Sequence, residues 1–61
     1  MTAIQRQALA VMDEANAGAI RIGDRWIWRE DIRTDEFAAI LVVSAVTRQI
    51  RTGERVVDLR A

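Results

Sequence analysis

The first part of the chain has the hydrophobic pattern of an amphipathic helix. Thr2 and Gln5 have the spacing of a capping box, in which two side chains satisfy free backbone N–H groups at a helix start. Apolar residues then follow at helical spacing, at Ile4, Ala8, Val11, Met12 and Ala15, and Leu9 widens the apolar stripe. The pattern predicts a helix that begins close to the N-terminus and ends near Asn16 and Gly18.

The next segment, GAIRIGDRWIWRED, is typical of a tight β-hairpin. Gly23 and Asp24 fit a two-residue loop with glycine first, where the backbone needs a positive φ. The predicted register pairs Ile22 with Arg25, Arg21 with Trp26, Ile20 with Ile27 and Ala19 with Trp28. Because opposed residues share a face of a sheet, one face carries Ile20, Ile22 and Ile27, and the other carries Arg21, Trp26 and Trp28.

The most apolar part of the chain runs from Phe37 to Val46 and is interrupted only by Ser44. We expect Thr34 to cap a helix here, with Asp35 and Glu36 in its first turn, Arg48 and Arg51 near its end, and Gly53 after it. The β-branched residues make a strand the alternative, but the caps and the long stretch without glycine or proline favour a helix. A helix that is apolar nearly all round should be buried on more than one side.

Residues 55–59, RVVDL, predict a short last strand. The order is then α-β-β-α-β in one domain over residues 1–61, a small two-layer α+β fold with both helices on the isoleucine face of the sheet. The path from the second strand through the long helix to the last strand has the form of a right-handed crossover. The last strand lies either parallel beside the second strand or antiparallel beside the first, and the sequence allows both.

This architecture leaves the second face of the sheet without a covering layer. A tryptophan side chain can bury on the order of 200 Å², so we expect another surface to cover the face. The candidate interface residues are Arg21, Trp26 and Trp28 on the sheet and Val42, Val43 and Val46 on the long helix. A second copy of the chain, forming a dimer, is the first expected partner, a different protein is the next, and nucleic acid is the third. The competing interpretation places one tryptophan in the core and Arg21 over the other as a cation–π pair.

Composition supports self-association. A chain of 61 residues builds a small core, and without cysteine or histidine it has neither disulfides nor the usual zinc sites to support that core. Nine basic residues balance nine acidic ones, so no net field attracts nucleic acid. All the basic residues are arginine, which suggests a high-GC bacterium or one of its phages. With no signal peptide and no apolar run of membrane-spanning length, we expect a cytoplasmic protein.

The side chains used most often in catalysis are scarce. The sequence has no histidine, cysteine, lysine or tyrosine, which predicts a protein that is not an enzyme and uses no cofactor. We expect the Ser44 hydroxyl to hydrogen-bond to its own helix backbone. A cluster of four carboxylates could bind a hard cation such as Mg²⁺; its members are Glu30, Asp31, Asp35 and Glu36. Helix capping explains these residues better, so we predict no metal site.

Three functions fit these features. The first is a self-associating interaction or scaffold protein. The second is a small DNA-binding regulator with Arg-rich hairpins, although a helix-turn-helix unit needs two consecutive helices; its candidate residues are Arg25, Arg29, Arg48, Arg51 and Arg55. The third is a structural protein of a tailed phage, because the helix-hairpin-helix order of residues 2–51 is similar in outline to small head-completion proteins, with no shared motif residues.

Overall fold

A computed structural model describes all 61 residues and confirms an α+β domain. Its elements are α1 (Ala3–Glu14), β1 (Ala19–Ile22), β2 (Arg25–Trp28), α2 (Arg29–Thr34), α3 (Glu36–Thr52) and β3 (Val57–Arg60). The helices lie against one face of a three-stranded antiparallel sheet. The architecture agrees with the expected two layers, and α2 is an additional element that the sequence did not predict.

The predicted start of α1 is confirmed. The Gln5 N–H donates to Thr2 Oγ1 over 3.3 Å, and the Thr2 N–H donates to Gln5 Oε1 over 2.6 Å. The helix ends where Asn16 takes a positive φ of 53° and the Ala17 N–H returns to the Met12 carbonyl. Asparagine is one of the few residues that adopts this left-handed conformation at a helix end.

The hairpin has the predicted register at every position, from Ala19 opposite Trp28 to Ile22 opposite Arg25. Gly23 has a φ of 62°, which glycine adopts without steric cost. The isoleucines at the middle of the two strands, Ile20 and Ile27, are fully buried. The inner face of the sheet is therefore the one that the alternation predicted.

The region before the long helix differs from the prediction. Thr34 does not cap α3 but ends α2, where its hydroxyl donates to the Glu30 carbonyl. Asp35 is the cap, because its extended backbone separates the two helices and its carboxylate accepts from the Phe37 N–H over 3.0 Å. Six residues are too few to show helical periodicity, so α2 left no clear pattern in the sequence.

The long apolar segment is a helix, as expected, and ends at Gly53 with a φ of 76°. Its burial is less complete than its composition suggested. Ala38, Ala39 and Val42 are fully buried, whereas Phe37 is 61% exposed and Ile40 is 42% exposed. Within one chain α3 packs against α1, α2 and the sheet, and covering of its exposed side by a partner stays a prediction.

The last strand lies beside β1, in the sheet order β2-β1-β3. Its antiparallel register places Val57 opposite Ile22 and Asp58 opposite Arg21, which selects one of the two arrangements that the sequence left open. Gln49 attaches the strand to the end of α3, since its Oε1 accepts from the N–H groups of Val56 and Val57 over 2.9 and 3.1 Å. The strands β2 and β3 are thus parallel and separated by β1.

The core lies between the inner face of the sheet and the three helices. Its buried apolar members are Ala8, Leu9, Met12, Ile20, Ile27, Ile32, Ala38, Ala39, Val42 and Val57. Gln5 is the one buried polar residue, and its Nε2 donates to the carbonyls of Ile32 and Arg33 over 3.0 and 3.2 Å. This single amide therefore joins the start of α1 to the end of α2.

We predict that Gln5→Ala lowers the free energy of unfolding by about 1–3 kcal/mol, because it leaves a buried carbonyl without its donor and removes half of the capping box. Urea denaturation followed by circular dichroism measures the change. Gln7→Ala is the matched control, since Gln7 is exposed on the same helix and should alter stability by less than about 0.5 kcal/mol. Equal effects at both positions would contradict the role assigned to Gln5.

Candidate protein interface

The outer side of the sheet gathers aromatic and charged side chains from all three strands. We call this surface the Trp face, and it consists of Ala19, Arg21, Trp26, Trp28, Asp58 and Arg60. Side chains alternate between the faces of a sheet, so burying Ile20 and Ile27 on the inner side turns these residues outward. The structure therefore brings together the three sheet residues of the predicted interface, Arg21, Trp26 and Trp28.

Both tryptophans lie on the surface. Trp26 is 37% exposed and Trp28 is 43% exposed, so the alternative in which one of them fills the core is wrong. The cation over Trp26 is Arg60, whose guanidinium carbon lies 5.3 Å from the ring centroid, rather than Arg21. Arg60 reaches across β1 because the residue opposite it is Ala19, which is small and fully buried.

Arg21 has a different partner, the carboxylate of Asp58 on β3, with which it forms a hydrogen-bonded ion pair. Asp58 also accepts from Arg55 Nε over 3.2 Å. The hydrogen bond from Arg21, followed by the charges of Arg21 and Arg55, holds the pKa of Asp58 below its ordinary value of 3.8. Arg60 is thus the cation of the Trp face that has no carboxylate partner.

The helix residues of the predicted interface are less accessible to a partner than the sheet residues are. Val42 lies fully buried in the core and has no surface to offer a partner, so including it was wrong. Val43 and Val46 are half-buried and pack against the core. The large apolar side chains that α3 does expose are Phe37, Ile40 and Ile50. In a segment that is apolar on all sides, the hydrophobic pattern alone does not show which side faces the sheet.

The arginines proposed for nucleic-acid binding are partly engaged within the chain. Arg29 pairs with Asp13 and its Nε donates to the Ala17 carbonyl over 2.9 Å. Arg55 pairs with Asp58, and Arg48 lies 3.7 Å from Glu54. The two without an ion pair, Arg25 and Arg51, belong to the hairpin and to the end of α3.

Two of the four carboxylates near the start of α3 have capping roles. Asp31 accepts from the Trp28 N–H over 2.9 Å at the start of α2, and Asp35 caps α3. No group of three or more acidic, histidine or cysteine side chains is arranged to hold a metal ion. The expected bond from Ser44 to its own helix is absent, whereas Thr34 and Thr52 form such bonds to the carbonyls four residues before them.

Comparison of the chain with protein-family models, with curated proteins and with solved structures found no match. None of its helices has the length and apolar content that crossing a membrane requires. A function for the chain therefore has to follow from the side chains that it exposes.

We predict that the Arg21–Asp58 pair makes stability depend on pH. A lowered pKa means that the folded state favours the ionised carboxylate, so this contribution is present above the ordinary Asp pKa of 3.8 and is lost as the pH falls below it. Wild type should be slightly more stable than Asp58→Asn at neutral pH, and the two should converge in acid. Thermal unfolding at several pH values measures this.

Glu14→Gln controls for the loss of one surface carboxylate, because Glu14 is exposed and forms no ion pair. A difference between wild type and Asp58→Asn that stays constant down to about pH 2 would contradict the role of the ion pair.

Proposed function

We propose that this chain is a small non-catalytic interaction or scaffold protein of the cytoplasm. It self-associates, and its Trp face binds a protein partner. The observation that carries the proposal is the pair of tryptophans on one strand, both exposed, with Arg60 stacked on one of them. The absence of cysteine is compatible with a reducing compartment, because the fold does not depend on disulfides.

The Trp face has the composition of a protein-binding surface. Trp26 is 37% exposed and Trp28 is 43% exposed, so each has on the order of 100 Å² of its surface in contact with water. Tryptophan and arginine are among the residues enriched at the positions that dominate binding energy at protein interfaces. Covering this face with another chain would remove aromatic area from water.

The exposure of the tryptophans is not the result of an open fold. The chain has a surface of 4086 Å², close to the roughly 4,000 Å² expected for a folded monomer of 6.9 kDa. The domain thus reaches ordinary compactness while keeping two of its largest side chains outside the core. This supports a role for the tryptophans in recognition.

A protein partner fits this face better than a nucleic acid or a small molecule does. Nucleic acids need several free cations along a surface, whereas Arg21 is paired with Asp58 and Arg60 is the one unpaired cation of the face. Small molecules need a concave site, and the two depressions in the surface are lined by α3 and by the segment around β3, with neither tryptophan in their walls.

Photo-crosslinking in cells that produce the chain tests the proposal. With Trp28 replaced by the photoreactive residue benzoylphenylalanine, we expect discrete protein adducts after irradiation. The same residue at Arg33, which is exposed on α2, is the control and should give none. An adduct of twice the chain mass would identify a second copy, and other discrete masses would identify a different protein. Absence of adducts at Trp28, or equal adducts at Arg33, would overturn the proposal.

A further inference from the structure

The side of α3 that faces away from the core carries a regular row of exposed residues. We call it the outer stripe, and it consists of Phe37, Ile40, Ser44, Thr47, Arg48 and Arg51. The residues recur at intervals of three and four, as in a helix that pairs with another helix. None of them belongs to the core or packs against it.

Four residues of the outer stripe are placed symmetrically about the middle of the helix. Because α3 runs from Glu36 to Thr52, Ser44 is its central residue. Phe37 and Arg51 lie equally far from Ser44 in opposite directions, and so do Ile40 and Arg48. A two-fold axis at Ser44 would therefore place Phe37 opposite Arg51 and Ile40 opposite Arg48 of an antiparallel copy, so that one surface serves both partners, as a symmetric dimer requires.

One half of the outer stripe projects from the surface and the other half lies in a depression. The N-terminal half projects Phe37 and Ile40, which are 61% and 42% exposed. The C-terminal half is a shallow depression whose walls are Val43, Ser44, Thr47, Arg48, Arg51 and Thr52. In an antiparallel pair, the projecting half of each helix meets the depression of the other, and the small Ser44 at the crossing point lets the backbones approach closely.

The charges favour the same antiparallel arrangement. Asp35 and Glu36 lie at the N-terminus of α3, and Arg48 and Arg51 lie near its C-terminus. Arg51 has no ion pair within its own chain, and Arg48 has only an exposed one with Glu54. Antiparallel pairing brings opposite charges and opposite helix dipoles together, whereas parallel pairing would place like charges side by side.

We infer that α3 pairs with α3 of a second copy of this chain, antiparallel about a two-fold axis at Ser44. Phe37 of each copy stacks on Arg51 of the other, and Ile40 packs against the stem of Arg48. The inference rests on the proposed function and specifies which surface performs the self-association. The Trp face stays uncovered in this dimer and is available to a different protein.

The size of the contact sets the expected strength. A helix of 17 residues is about 25 Å long, and a strip of that length and one helix wide covers a few hundred Å² per partner. This is below the roughly 800 Å² per partner of a stable interface. We therefore expect a reversible dimer with a dissociation constant on the order of micromolar to millimolar.

Cysteine crosslinking tests the geometry directly, because the natural chain contains no cysteine. Under mild oxidation, Ser44→Cys should form a disulfide-linked dimer, since residue 44 meets its own counterpart at the axis. Ile50→Cys should not, because Ile50 lies off the outer stripe, even though it is 78% exposed on the same helix. A mixture of Ile40→Cys and Arg48→Cys should crosslink faster than either variant alone. Equal crosslinking by Ser44→Cys and Ile50→Cys would overturn the pairing.

Light scattering over a dilution series gives the second test, with tryptophan emission recorded in parallel. Ile40→Glu should raise the dissociation constant at least about tenfold, and Ile50→Glu should leave it unchanged, with both variants shown to be folded by circular dichroism. Tryptophan emission should not shift on dissociation, because both tryptophans lie outside the contact.

Two results would overturn the α3 pairing and remain distinguishable from failure of the proposed function. If Ile40→Glu leaves the dimer intact and Trp28→Ala abolishes it, then self-association uses the Trp face and the interaction function stands. If the chain is monomeric up to millimolar concentration, both the pairing and the self-association are wrong. Binding of another protein at Trp28 is then decided by the photo-crosslinking experiment alone.

Discussion

The register between β1 and β2 is the constraint on which the rest of the molecule depends. Side chains alternate between faces, so shifting the pairing by one residue would exchange the buried and exposed sets. The observed register buries Ile20 and Ile27 and turns Trp26 and Trp28 outward. Gly23, with its positive φ, supports the two-residue turn that keeps this register. The core and the Trp face are therefore two consequences of one pairing.

The features that sequence reasoning predicted well depend on neighbouring residues. The capping box of Thr2 and Gln5, the hairpin turn and the glycine end of α3 each involve a few consecutive positions. The features it missed depend on contacts between distant segments. Gln5 donates to carbonyls 27 and 28 residues away, and that contact holds the short helix α2, which has no strong pattern of its own.

The candidate interface shows the same difference between features that depend on neighbouring residues and features that depend on distant segments. The sequence was sufficient to group Arg21, Trp26 and Trp28, because the hairpin alone determines their common face. It did not identify Arg60 as the cation over Trp26, since this requires β3 to lie beside β1. It also placed Val42 at the interface, which was wrong because Val42 is buried. The side of α3 that is buried depends on how the helix packs against the sheet and α1.

The orientation of α3 explains why a small domain exposes so much apolar surface. Ala38 and Ala39, which are fully buried, face the core, and their small size lets the helix approach its neighbours closely. The larger Phe37 and Ile40 on the same turns are thereby left outside. The domain thus has an aromatic surface on its sheet layer and an apolar one on its helix layer. If the helix layer pairs as proposed, each dimer presents two Trp faces, and a partner with two matching sites would bind it more tightly than it binds one copy.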